Sequence, residues 1–355
     1  MRDEQSILDV LDAASRRRAE RRNFLRAAGA ATVAAGGLTL LSACGDDDDD
    51  ATPTPLPTPT PTAAPINDVD ILNFALNLEY LEAQFYSYAV YGVGLNASLL
   101  TGTGTQGAVV TAGSGAGQPR AVNFTGETLI GQYAREIAAD EIAHVAFLRT
   151  ALGAAAIAQP AINISGDATG AFTAAARAAG AIGPNDTFDP YSSPDAFLLG
   201  AYIFEDVGVT AYKGGSPLIT SKVFLEAAAG ILAAEAYHAG LVRTILYARG
   251  QSNTALITQA GQISDARDLL DGTPALDDIR GIGPDDDQGI TAVSSPAGVV
   301  SNLVPTNVNA LAYSRSPQQV HNIVYLNATG ANRTRGGFFP AGTNNSNPAL
   351  TVGLG

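Results

Sequence analysis

Glu141-Ile142-Ala143-His144, followed by Arg149-Thr150, and Glu235-Ala236-Tyr237-His238, followed by Arg243-Thr244, are two copies of one pattern, Glu-x-x-His-x-x-x-x-Arg-Thr. Three residues advance a helix by about 300°, so the Glu and His of each copy share a face, one turn apart. Ahead of each copy lies a segment with Glu and Tyr seven residues apart: Glu79 with Tyr86, and Glu205 with Tyr212. Seven residues are close to two full turns, which puts each Tyr on the side of its own Glu. The chain therefore states one unit twice, a Glu…Tyr segment and then a Glu-x-x-His segment. Of only three histidines, two fall in these motifs.

Working outward, apolar periodicity predicts four long helices. Asn67 to Tyr91 carries Ile71, Phe74, Leu78, Leu81 and Phe85, with Asn67 or Asp68 as its cap. Glu127 to Leu152 is the second and ends at Gly153; Pro194 to Tyr212 is the third and stops at Gly214-Gly215; Pro217 to Arg249 is the fourth. Residues 92–125 read as a long Gly/Thr-rich loop with room for a hairpin. Residues 154–193 are a long connection with a short helix at Ala171 to Ala179. Two helix pairs joined by one long crossover describe an all-α four-helix bundle over residues 66–250, with residues 251–355 as an irregular C-terminal extension.

On the first helix Leu72, Ala75, Glu79 and Tyr86 line up on one apolar side. A glutamate among core residues needs a partner, because an unpaired buried charge costs several kcal/mol. Two divalent ions would neutralise four carboxylates, and imidazole with carboxylate suits iron, manganese or zinc better than calcium or magnesium.

With these motifs the chain resembles the ferritin-like superfamily, and within it the exported bacterial branch related to plant desiccation-related proteins. The resemblance covers residues 66–250. It implies two divalent ions, iron or manganese, bridged by Glu141 and Glu235, with His144 and His238 on one ion each and Glu79 and Glu205 as terminal carboxylates. It implies Tyr86, mirrored by Tyr212, as catalytic candidates that donate hydrogen bonds or single electrons beside the ions. Glu82, one turn beyond Glu79, is an alternative ligand; the repeat alignment favours Glu79. The implied co-reactants are dioxygen or peroxide, with ferroxidase or manganese-catalase chemistry. The alternative is a non-catalytic stress or desiccation protein with a structural or vestigial metal site. A third reading is a surface-display module that works through its tail.

Other polar residues carry blander expectations. Asp140 and Asp206 should point away from the ions, solvated or in supporting roles, and Glu136 should be exposed. Arg149 and Arg243 read either as partners of carboxylates or as helix C-terminal charges. His321, in a short helix at Pro317 to Asn327, reads as a packed structural histidine. In the extension, Asp265 to Asp271 predicts one short helix. Asp285-Asp286-Asp287 reads as a solvated turn, since no EF-hand spacing follows. Phe338 and Phe339 should bury against the bundle or against another subunit of a homo-oligomer.

The N-terminus carries an address. Arg21-Arg22-Asn23-Phe24-Leu25 precedes a weakly apolar run to Ala43, which resembles a twin-arginine export signal. Leu41-Ser42-Ala43-Cys44 resembles a lipoprotein box, with Cys44 as the lipidated residue; it is the single cysteine of the chain. Residues 1–44 are thus a signal, and 45–65, five Asp and then a Thr-Pro repeat, an extended linker to a membrane surface. The expected location is membrane-anchored, facing the periplasm or cell exterior. Seven Arg and five acidic residues before Cys44 leave the remainder of the chain, formally −14 overall, near −16. So acidic a surface repels nucleic acid and attracts cations.

Overall fold

The computed structural model describes residues 65–111, 115–296, 298–327 and 333–354. The expected signal, Cys44 and all of the linker but Pro65 lie outside them. Helix α1 (Asp68–Tyr91) opens on a capping box, in which Asn67 accepts from the Asp70 amide and Asp70 accepts from the Asn67 amide. It closes at Gly92, left-handed at φ 72°. From Asp70 to Ser87 every residue is buried, polar ones included. A helix buried all round is an interior helix, and α4 (Pro194–Gly215) is the same from Phe197 to Gly208.

Helices α2 (Thr128–Leu152) and α5 (Lys222–Gly250) instead bury a single stripe. In α2 that stripe is Ile130, Ala134, Ile137, Glu141, Val145, Leu148 and Leu152, at spacings of three and four. Helix α1 pairs with α2, and α4 with α5. The protein is an all-α four-helix bundle with a long crossover, residues 153–193, that contains α3 (Ala171–Ala178). No described helix is long and apolar enough to cross a membrane.

The far face of the interior helices is covered by the crossover and the extension. Asn77 donates to the Asn344 carbonyl at 2.8 Å and Asn73 to that of Ala155 at 3.0 Å. Phe338 packs edge-on against Phe172 and Phe204, within the same chain's bundle. His321 is fully buried between Phe74 and Tyr325, and burial drives its pKa down to about 3, so it stays neutral.

Several expectations are corrected. No strand pair forms among the described residues of 92–125; Thr103 and Val109 bridge in parallel to Ile157 and Ile162 of the crossover. Helix α4 runs through Gly214-Gly215, and Gly214 serves there to admit the tail: a Cβ on it would lie 1.9 Å from the Arg315 carbonyl oxygen. The fourth long helix starts at Lys222, capped by Ser221, after a 3-10 turn at Ser216–Leu218. Helix α6 (Thr254–Asp271) is 18 residues long, not seven. Its inward stripe of Leu256, Ala260, Ile263, Arg267 and Leu270 contains an arginine and an alanine, which hid its apolar period. The extension adds an antiparallel strand pair, β1 (Val293–Ser295) with β2 (Gly298–Val300), and α7 (Pro317–Val324).

Asp286 and Asp287 are not solvated: they are 1% and 6% exposed and hold Arg315, and Asp287 also holds Arg267. Asp206 is likewise buried, between Arg243 and Arg267 at 2.7 and 2.9 Å. A buried arginine supplies the compensation that a sequence reading assigned to water.

Candidate metal centre

Helices α1, α2, α4 and α5 each turn one glutamate inward at the same level, and α2 and α5 add the histidines one turn on. Glu79, Glu141, Glu205 and Glu235 are at most 1% exposed. His144 Nδ1 lies 3.2 Å from Glu79 Oε2, 3.7 Å from Glu141 Oε2 and 3.8 Å from Glu235 Oε1. His238 Nδ1 lies 3.1 Å from Glu141 Oε1 and 3.7 Å from Glu205 Oε2. One ligand atom each from Glu79, Glu141, His144 and Glu235 falls within 4.8 Å of the others, and so does one from each of Glu205, Glu235 and His238. Glu235 belongs to both groups, and Glu141 contacts both histidines.

The fit to metal can be tested on hydrogen bonding. Both oxygens of Glu141, both of Glu235, Oε2 of Glu79 and of Glu205, and Nδ1 of both histidines are buried with no hydrogen-bond partner of acceptable geometry. Buried polar atoms are ordinarily paired, so eight orphans facing one another point to a missing partner. Two atoms each about 2.1 Å from a shared ion stand roughly 3.0 to 3.4 Å apart, close to the spacings seen. The donor set, carboxylate with imidazole, fits iron or manganese. The orphaned atoms are two on each of two glutamates and one on each remaining side chain.

The tyrosines do not serve their own helices. Tyr86 donates to Glu205 Oε1 and Tyr212 to Glu79 Oε1, each crossing to the other half of the repeat. Seven residues rise about 10.5 Å along a helix, too far for a Tyr to reach a Glu on the same helix. Each hydroxyl occupies one oxygen of a carboxylate and leaves the other facing the cluster.

Without metal the cluster holds protons. Burial, then the charge of Glu141, raises Glu79 to about 7, and burial raises Glu205 to about 8. Burial with neighbouring carboxylates holds Glu235 and Glu82 well above the usual range. Burial opposes ionisation of Glu141 as well, but the two imidazoles beside it, His144 and His238, bring it down to about 2. Despite burial, the carboxylates raise His238 to about 9 and His144 to about 11.

Three further features qualify the reading from sequence, in which Glu82 is an alternative ligand and Asp140 is either solvated or in a supporting role. Glu82 is buried but falls in neither group of candidate ligands; it matches Gly208 in the repeat, as Glu79 matches Glu205. A Cβ on Gly208 would lie 2.3 Å from Glu235 Oε2 and 3.5 Å from Glu82 Oε1, so the missing side chain makes room for both. Asp140 Oδ2 accepts from His238 Nε2 at 3.1 Å, a contact that fixes the ring. The matching position in the other half is Ala234. The side chain of His144 is 13% exposed while its five companions are at most 4%, so this histidine marks the approach from solvent.

Comparison with known proteins agrees with this fold. The family model for the ferritin-like domain matches residues 67–248, half of the chain. A ferritin-like catalase of Nesocodon mauritianus is 25% identical over 288 residues, 78% of this chain and 83% of the relative. A desiccation-related protein of Craterostigma plantagineum is 27% identical over 263 residues, 72% of this chain and 76% of the relative. With its bundle, its paired Glu-x-x-His helices and these matches, the chain belongs to the ferritin-like family.

Proposed function

We propose that this protein holds two iron or manganese ions between the six side chains and uses them to dismute hydrogen peroxide. The observation that carries the proposal is the set of eight buried, unpartnered ligand atoms. The similarity to a protein named a ferritin-like catalase favours peroxide over Fe(II) as the substrate. The ions, when bound, supply the electron transfer that cycles two peroxide molecules to water and dioxygen.

The chain's own residues bind, aim and shield. Glu141 and Glu235 reach both halves of the site. Tyr86 and Tyr212 fix the carboxylates of Glu205 and Glu79, and Asp140 fixes His238. Glu82, kept protonated by burial and by Glu141, is an acid beside the site that can lend and recover a proton. Peroxide reaches the centre on the side of His144.

The test is peroxide consumption by the metal-loaded full chain, read with dioxygen release. Two peroxides consumed per dioxygen are expected, with loss of turnover in Glu141→Ala/Glu235→Ala and slower turnover at unchanged metal content in Tyr86→Phe. A protein that binds two ions, loses its fold on chelation and consumes no peroxide would make the site a structural clasp. Export and anchoring are part of the same proposal, supported by Arg21-Arg22 and Cys44. Labelled fatty acid should enter the wild-type protein and not Cys44→Ser.

A further inference from the structure

A second group of acids lies away from the four glutamates. Asp268 and Asp271 stand on the last turn of α6, and Asp286 on the loop that follows. One carboxylate oxygen from each of the three lies within 4.8 Å of the others. Asp286 is 1% exposed; its Oδ1 meets Arg315 at 3.3 Å, but its Oδ2 is buried with no hydrogen-bond partner. Asp268 Oδ1 is buried without a partner as well. Orphaned oxygens in a wholly acidic cluster call for a cation or for shared protons.

The charges around it do not balance. Asp287 is satisfied by Arg267 and Arg315, and Asp206 by Arg243 and Arg267. Arg315 also pairs with Asp271 at 2.6 Å. Three guanidinium groups thus face five carboxylates when Asp268 and Asp286 are included, an excess of two negative charges. Without a cation, burial and facing carboxylates drive Asp268 up to about 8 and Asp271 up to about 7.

We propose that Asp268, Asp271 and Asp286 bind one hard divalent cation, calcium by the chemistry of the donors. All are carboxylate oxygens, with no imidazole in the group, which separates this site from the glutamate–histidine centre. Asp268 is partly exposed, so the ion has an entry path and room for water ligands. The cation joins α6 to the 286–287 loop, which Arg315 in turn ties to α4 through Thr210. It is a clasp within the extension, at the point where Arg315 fastens the extension to the bundle.

The test is calorimetric titration of calcium chloride into metal-stripped full chain carrying Glu141→Ala/Glu235→Ala, so that the ferritin-like centre cannot contribute. One calcium per chain is expected, with a rise in Tm of at least about 3 °C at saturation. Asp268→Asn, which leaves the partners of Arg315 in place, should weaken binding at least tenfold while the metal-free Tm holds or rises. Asp286→Asn, which also removes one ion-pair partner of Arg315, should weaken binding likewise. No binding up to about 10 mM calcium, beyond the weak end of protein calcium sites, would overturn the proposal and leave the acids sharing protons. Unchanged affinity in both variants would overturn it too.

Discussion

At the scale of single residues, two small features set the geometry of the centre. Gly208 sits inside α4, where glycine costs about 1 kcal/mol relative to alanine. Its replacement should therefore stabilise the helix, were it not for Glu235 Oε2 at 2.3 Å from the new methyl group. Gly208→Ala is expected to lower the metal content per chain without lowering the helical signal; elemental analysis with circular dichroism checks this, and full metal content would refute the packing argument. Asp140 is the second feature. Asp140→Ala should leave His238 free to rotate and weaken metal binding about 10- to 100-fold. Competition with a chelator measures it, and Asp140→Asn, which can still hydrogen-bond, should recover part of the loss.

At the scale of elements, the repeat was legible because ligands and helical period coincide on α2 and α5. Each buries one stripe, and each Glu-x-x-His lies on it. Helices α1 and α4 showed only part of their environment, since Asn73, Asn77 and Asp206 are polar residues buried by partners 37 to 267 residues away in the chain. Periodicity reports which face is apolar, not what a distant arginine or asparagine will cover. For the same reason the repeat-matched arginines diverge. Arg243 is fully buried and holds Asp206 and the carbonyls of Gln288, Gly289, Asn302 and Leu303. Arg149 is half-buried and donates to Tyr80 and Thr101. Arg243→Met should cost about 3–5 kcal/mol by denaturant unfolding, and Arg149→Met about 1 kcal/mol. Equal losses would show that the extension does not depend on its buried ion pairs.

At the scale of the whole molecule, the centre links metal to pH. In the metal-free chain Glu79, Glu205 and His238 release protons at about 7, 8 and 9, above their ordinary values. Groups whose folded pKa is raised bind protons more tightly when folded, so their contribution to stability is present at low pH and fades as pH rises through those values. The metal-free protein should lose Tm between about pH 4.5, the ordinary glutamate value, and about pH 9, whereas the loaded protein should not, because ions replace the protons. Glu141, depressed to about 2, acts only below the ordinary carboxylate range. Loading at pH 7 should therefore release protons.

The most direct measurement is the metal content of the full chain purified from its native host, by elemental analysis. Two iron or manganese ions per chain are expected in the wild type, with nearly none in Glu141→Ala/Glu235→Ala at preserved helical content. Wild-type protein without either metal, or a double variant that keeps both ions, would contradict the assignment.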